Sequence, residues 1–180
     1  MGLRYSCQSP KSEKIVGQPL TILVVEDNSD DTELLRMAFA EAGMDGPIEF
    51  VRDGNRAKAY LSGAAPFEDP SRHPRPDLLV LDLKMPGLSG FEVLQWVAQQ
   101  KGLKPMVVAI LSGSQWPADI DRAYASGADF YFVKPLGFEQ LVSVAERLKE
   151  RCVLRIAAMA SAGVAMGKDA VKRQVYAQEE

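Results

Sequence analysis

Short apolar runs recur five times along the chain, separated by longer stretches in which apolar residues return at helical spacing. Most of these runs are apolar throughout, which predicts strands buried on both faces, as in a parallel sheet covered by helices. Glu49 interrupts the second run, so we predict that this strand lies at an edge of the sheet. In chain order the runs are residues 22–25, 48–51, 78–81, 106–111 and 130–133.

Apolar stripes at helical spacing follow each of the first four runs, and a fifth helix follows the last run. Strict alternation of strand and helix predicts an α/β fold. Its simplest form is a flavodoxin-like, doubly wound, five-stranded parallel sheet with strand order 2-1-3-4-5 and five helices. The four stripes are Leu34, Leu35, Ala38 and Phe39; Ala57, Tyr60 and Leu61; Phe91, Leu94, Val97 and Ala98; and Ile120, Ala123 and Tyr124.

This pattern predicts one domain over residues 20–150, preceded by a flexible leader at 1–19. Residues 62–77 form a Pro-rich insertion with few core-type residues, which is either a functional loop or a tolerated surface insertion. Residues 151–180 form a C-terminal extension that begins as an apolar continuation of the fifth helix. This apolar tract calls for a cover, which is either the protein's own core or a second subunit. Because the domain is complete before this extension, we favour a contact with a second subunit or another partner.

Composition narrows the function only slightly. The chain has 180 residues, of which 47% are hydrophobic and 25% are charged, and its net charge of −3 gives no bulk attraction to nucleic acid or an anionic membrane. Cys7 and Cys152 lie far apart, which indicates neither a disulfide framework nor a zinc site and favours a reducing, cytoplasmic location. No apolar segment reaches the ~20 residues needed to span a membrane.

Charged and polar residues follow four of the predicted strands. Ligands of an open parallel sheet bind beyond the carboxyl ends of the strands, where strand order reverses. Glu26 and Asp27 follow strand one and Asp82 follows strand three, so the predicted order brings three carboxylates together. Two unit charges 4 Å apart repel by about 4 kcal/mol at an effective dielectric near 20, so this cluster calls for a cation. Oxygen-only ligands favour Mg²⁺.

Ser112 and Lys134 stand at the ends of strands four and five and add a hydroxyl and a positive charge to the same edge. A carboxylate nucleophile, a metal, a lysine and a hydroxyl are the parts that phosphoryl transfer requires. Each residue alone also has a structural explanation, such as a helix cap, a turn or a solvated loop. Because all of these residues stand at strand ends, the sequence favours a shared phosphoryl-transfer site over separate structural roles.

Three sequence blocks, residues 24–28 (VVEDN), 81–87 (LDLKMPG) and 133–135 (VKP), resemble the signatures of bacterial response-regulator receiver domains, and the resemblance covers about residues 20–150. It implies that Asp82 is the phosphoacceptor, that Asp27 binds Mg²⁺ directly, and that Glu26 holds the metal through water. The backbone carbonyl of Lys84 is implied as a third protein ligand.

The same resemblance implies that Lys134 pairs with the phosphoryl oxygens and that Ser112 is the switch hydroxyl that moves to contact them. Tyr131 resembles the aromatic switch, with a buried strand aromatic as the alternative reading. In this family the bond corresponding to Lys134–Pro135 is commonly cis. The implied donor of the phosphoryl group is a sensor histidine kinase, and the implied output is a protein–protein contact.

The layout of the insertion and the extension is similar to single-domain receivers that partner phytochrome-type kinases, and it favours a homodimer. By this resemblance the protein is no enzyme in the usual sense, because it catalyses only its own phosphotransfer and slow autodephosphorylation.

Three other classes of protein fit the sequence less well. A phosphohydrolase of the haloacid dehalogenase type needs a second aspartate where Lys84 stands, so its general acid is missing. A phosphorylation-independent scaffold would be expected to lack a site residue. A DNA-binding domain does not fit the ~30 residues that follow the receiver, fewer than the ~40 of an independent fold.

Overall fold

The computed structural model describes residues 19–103 and 105–161, which contain five strands that alternate with five α-helices. The strands pair in parallel in the order β2-β1-β3-β4-β5, which confirms the predicted doubly wound α/β fold and places β2 at an edge. A short 3₁₀ turn, Lys101–Leu103, precedes β4. The elements are β1 (Ile22–Val25), α1 (Ser29–Glu41), β2 (Ile48–Val51), α2 (Gly54–Ser62), β3 (Leu78–Leu81), α3 (Gly90–Gln99), β4 (Val107–Ser112), α4 (Pro117–Ala125), β5 (Phe130–Val133) and α5 (Phe138–Ser161).

Alternate residues of the buried strands face two separate cores. In β1, Leu23 and Val25 belong to the core beneath α2, α3 and α4, whereas Ile22 and Val24 belong to the core beneath α1 and α5. The four residues of β1 are at most 1% exposed. Because both faces of the central strands are buried, apolar and polar residues do not alternate along them.

Side-chain caps define where the first three helices begin. The Asn28 side chain accepts hydrogen bonds from the backbone N–H groups of Asp30 and Asp31 at the start of α1, and Asp53 accepts from Arg56 at the start of α2. Ser89 and Glu92 form a reciprocal capping box at the start of α3. Such caps each stabilise a helix by about 1 kcal/mol. They fix the loops that follow the carboxyl ends of the strands.

Helix α5 continues past residue 150 without a break and ends at Ser161. Cys152 is fully buried in the core beneath α1 and α5, and Ile156 and Met159 pack against the same core. Arg155 Nε lies 3.4 Å from Asp129 Oδ1, and both side chains are nearly buried. The first eleven residues of the C-terminal extension are therefore attached to the receiver fold. Residues 162–180 of the extension, like residues 1–18 of the leader, lie outside the described residues.

The Pro-rich insertion packs against α2. The Phe67 ring is 7% exposed and lies 5.1 Å from the Tyr60 ring, and the Tyr60 hydroxyl donates to the carbonyl of Pro74 at 2.9 Å. The His73 ring meets the Phe67 ring edge to face at 5.1 Å. Aromatic contacts thus hold the insertion on the domain, on the side of the sheet that carries α2.

In the described part of the chain, every helix is too short or too polar to span a bilayer.

Candidate functional site

Two central strands carry the acidic residues of the predicted site. Glu26 follows β1 and is 3% exposed, Asp82 follows β3 and is 7% exposed, and Asp27 is exposed. The backbone N–H of Asp82 donates to the carbonyl of Val25 at 3.1 Å, which fixes the two strand ends side by side. One carboxylate oxygen from each of the three acids lies within 4.8 Å of the others. The structure therefore brings the three acids into one cluster.

Lys134 reaches this cluster from the end of β5. Its backbone N–H donates to the carbonyl of Ser112 at 2.9 Å, which fixes the first residue after the strand. Its Nζ lies 2.5 Å from Glu26 Oε2 and 2.7 Å from Asp82 Oδ2. The ammonium group thus sits between the end of β1 and the end of β3.

Burial and charge act in opposite directions on these groups. Burial raises the pKa of Glu26 above its ordinary value, and the bond from Lys134 only partly opposes this effect. Burial also disfavours the charged form of Lys134, but hydrogen bonds to Asp82, Glu26 and Asp31 outweigh it and raise the pKa of Lys134. Lys134 is therefore positively charged at neutral pH, and it offsets part of the repulsion within the acidic cluster.

Gly90 allows helix α3 to begin directly beside Asp82. A Cβ atom at Gly90 would lie 2.0 Å from the carbonyl oxygen of Asp82 and 2.7 Å from Leu83 Cα. Any side chain at this position would push the segment that carries Asp82. Glycine at the start of α3 is thus required for the observed position of the Asp82 backbone.

Ser112 ends β4 and is fully buried. Its Oγ has no hydrogen-bond partner among the described residues. A buried hydroxyl without a partner costs about 1–3 kcal/mol, so Ser112 is set to gain from a new acceptor nearby.

Tyr131 lies on β5 and donates its hydroxyl to the backbone carbonyl of Ser114 at 2.8 Å. Ser114 is buried, and its Oγ donates to Asp119 Oδ2 at 2.5 Å, in the first turn of α4. Burial raises the pKa of Tyr131, and the charge of Asp119 acts in the same direction. Tyr131 therefore links β5 to the loop between Ser112 and α4.

Two expectations drawn from the resemblance meet different results. Lys84 is exposed and donates its backbone N–H to Asp82 Oδ1 at 3.1 Å, while metal binding by its carbonyl stays a prediction. The expected cis bond at Lys134–Pro135 is wrong for this structure, in which Ala65–Pro66 is the cis bond found among the described residues. The trans form is the intrinsically favoured one for a bond that precedes proline.

Asp31 is a site residue that the sequence analysis missed. It lies in the first turn of α1, and its Oδ2 is 2.9 Å from Lys134 Nζ. Two adjacent acids, Asp30 and Asp31, occupy this turn, and the helical period alone does not show which one faces a lysine 103 residues away. Their position after the Glu26–Asp27 pair was the available signal.

The donor set fits a hard divalent cation. Carboxylate oxygens are the ligands that Mg²⁺ and Mn²⁺ accept most readily, and three acids converge here with no sulfur or imidazole ligand among the residues that the structure describes. Glu26, Asp27 and Asp82 would hold such an ion.

Fold and site together define a flavodoxin-like module with an acidic cluster, contacted by Lys134, at the carboxyl ends of its strands. The model of the response regulator receiver domain matches residues 22–146. The chain belongs to this family, which comprises the phosphoacceptor signalling modules of two-component systems.

Relatives with known names support the assignment. The "Probable methanogenesis regulatory protein FilR2" of Methanothrix harundinacea (strain 6Ac) is 36% identical over 132 residues, which is 73% of this chain and 83% of FilR2. The crystal structure of the phosphorylated cyanobacterial phytochrome response regulator RcpA is similar with a TM-score of 0.67 and 33% identity, and the match covers 74% of this chain and 93% of RcpA. The Mn²⁺-bound form of response regulator Rcp1, from Synechocystis, gives a TM-score of 0.66 and 30% identity over 73% of this chain and 93% of Rcp1.

Proposed function

We propose that this protein is a phosphoacceptor response regulator that takes a phosphoryl group from a sensor histidine kinase onto Asp82, with Mg²⁺ bound by Glu26, Asp27 and Asp82. The observation that carries the proposal is the position of the Asp82 carboxylate. It lies in the acidic cluster, at hydrogen-bonding distance from the ammonium of Lys134.

In the proposed reaction an Asp82 oxygen attacks phosphorus, the P–N bond of the donor phosphohistidine breaks, and the histidine nitrogen leaves. Bound Mg²⁺ would supply neutralisation of the charge on the phosphoryl oxygens. Asp82 Oδ1 already accepts from the backbone N–H of Lys84, which orients the carboxylate. Lys134 pairs its ammonium with a phosphoryl oxygen, and preorganised charge of this kind lowers the barrier without reorganisation.

Ser112 and Tyr131 are the proposed switch residues. A phosphoryl group carries roughly 1.5 to 2 negative charges, in place of the single charge of the carboxylate, and sets several acceptor oxygens beside a hydroxyl that has no partner among the described residues. Contact with Ser112 would favour one of two pre-existing conformations. Tyr131 would carry this change to α4, because its hydroxyl holds the loop that contains Ser114.

Exposed apolar side chains near the site support a protein partner. Leu34 and Met37 on α1 are 42% and 51% exposed, and Leu136, two residues after Lys134, is fully exposed. Large apolar side chains at a surface are typical of contact sites. Because RcpA is described as a phytochrome response regulator, we propose a bacteriophytochrome-type kinase as the donor.

The test of the proposal is incubation of the full chain with acetyl phosphate, followed by intact mass. We expect one added phosphoryl group in Mg²⁺ and none in EDTA, because the acidic cluster repels the donor unless a cation neutralises it. Hydroxylamine should remove the group, since it cleaves an acyl phosphate. No gain at saturating donor and Mg²⁺ would instead leave two readings, phosphorylation by the kinase alone or a phosphorylation-independent scaffold.

We further propose a homodimer that uses the C-terminal extension. Leu154 is 62% exposed on α5, close to the buried Cys152. Leu154→Asp is expected to raise the dissociation constant of the dimer at least tenfold, because it places a charge in an apolar contact. Sedimentation velocity over a concentration series measures this change. An unchanged dissociation constant would remove this face of α5 from the interface, and Glu150→Asp, at an exposed position on the same helix, is the control.

A further inference from the structure

Among the described residues, the ammonium group of Lys134 has three carboxylate partners, and one of them lies outside the acidic cluster. Glu26 and Asp82 belong to the cluster, whereas Asp31, at 2.9 Å from Nζ, does not. An ammonium has three N–H donors, so these three acids can use all of them. Asp31 is thus the one partner of Lys134 that a cation in the cluster would leave in place.

We propose that Asp31 is a positioning residue that retains Lys134 beside the acidic cluster when a divalent cation takes over the oxygens of Glu26 and Asp82. This inference rests on the proposed metal site and deepens it. By keeping a partner for the ammonium, Asp31 lowers the free-energy cost of cation binding. It also keeps Lys134 where a phosphoryl oxygen would arrive.

Competition between the ammonium and a cation follows from the contacts. Glu26 accepts from Lys134 through Oε2 and from the backbone of Asn28 through Oε1. Asp82 likewise accepts from Lys134 through Oδ2 and from the backbone of Lys84 through Oδ1. Every carboxylate oxygen of the two buried acids is therefore engaged. A cation that binds them repels the ammonium and displaces it from at least one oxygen.

Because Lys134 is largely buried, a second carboxylate partner stabilises its ammonium group when the first is lost. Its side chain is only 17% exposed, so water replaces a lost carboxylate incompletely. A nearly buried charge that loses its partners is strongly destabilising. Asp31 can hold the ammonium from outside the cluster, and its 39% exposed side chain retains contact with water.

Asp31 is also held firmly enough to act in this way. The Asn28 side chain accepts from the N–H groups of Asp30 and Asp31, which fixes the first turn of α1. That turn begins two residues after Asp27, so Asp31 moves with the acidic pair.

The experiment measures Mn²⁺ affinity of the full chain without any phosphodonor, by the electron paramagnetic resonance signal of free Mn²⁺. Asp31→Asn is expected to weaken binding about fivefold, a value that allows for the partial exposure of Asp31. Asp30→Asn removes the same charge from the same turn but no partner of Lys134, and about a twofold loss is expected. Far-UV circular dichroism checks the fold of each variant.

A double-mutant cycle with Lys134→Met distinguishes an effect of Asp31 that acts through Lys134 from the general effect of its negative charge. If Asp31 acts through Lys134, Asp31→Asn should cost no more than Asp30→Asn once the lysine is gone. An equal loss for Asp31→Asn in both backgrounds would overturn the inference, as would equal effects of the two substitutions in the presence of Lys134. The second comparison needs no lysine variant, so it decides the inference even if Lys134→Met fails to fold.

Failure of the metal site itself gives a different result. If the wild-type chain bound no Mn²⁺, or if Asp27→Asn left the affinity unchanged, the proposed site would be lost and this inference with it. If Mn²⁺ binding depended on Asp27 but did not change in Asp31→Asn, the metal site would stand and only the inference about Asp31 would be wrong.

Discussion

Replacement of Asp82 by asparagine is expected to abolish phosphoryl uptake from acetyl phosphate, with a loss of at least about 100-fold in rate. The amide has nearly the same shape as the carboxylate and still accepts the hydrogen bond from Lys84, but its oxygen is a poor nucleophile. The substitution also removes one negative charge from the acidic cluster. Intact mass after a timed incubation in Mg²⁺ measures the effect.

Asp53→Asn is the matched control for this substitution. Asp53 also follows a strand, β2, and caps the start of α2 through Arg56. Asparagine caps a helix as well as aspartate does, so the fold and the phosphoryl uptake should both be retained. Equal uptake by wild type and Asp82→Asn would show that another group, such as Asp27, accepts the phosphoryl group.

Replacement of Cys152 by aspartate is expected to destabilise the fold by ~4 kcal/mol or more. Cys152 is fully buried among the residues beneath α1 and α5, and an unsatisfied polar group at such a site costs roughly 2–7 kcal/mol even when neutral. This loss approaches the total stability of many domains. Urea unfolding followed by circular dichroism measures it.

Leu154→Asp controls for the helix propensity of the new residue, since it introduces aspartate two positions later in α5 at a 62% exposed position. Its unfolding free energy should stay within about 0.5 kcal/mol of the wild type at concentrations low enough for a monomer. Similar losses in the two variants would mean that α5 beyond residue 150 does not pack on the receiver core.

The sheet could be predicted from the sequence because its strands are buried on both sides. Runs such as 78–81, with four consecutive apolar residues, have few alternative structures when turn residues and helical stripes flank them. Strand order then followed from the usual topology of such folds. The order in turn placed Asp82 beside Glu26, so the acidic cluster depended on the fold and on no local pattern.

Other contacts depend on side-chain direction, which spacing does not give. The hydrogen bond between Asp31 and Lys134 requires the exact orientation of the first turn of α1. The packing of Phe67 on Tyr60 was equally unpredictable, because prolines remove the periodicity of residues 62–77. In both cases a contact between distant segments decides the structure, and neither segment signals it alone.

Helix α5 begins four residues after Lys134 and runs for 24 residues, so it spans about 36 Å at 1.5 Å per residue. Near the middle of α5, Lys149 donates to the carbonyls of Ala42 and Gly43, the two residues that follow α1. A tilt of about 5° at the end near Lys134 would displace the far end of such a rod by about 3 Å. A change of tilt beside the acidic cluster would therefore reach the C-terminal extension as a displacement of several ångströms.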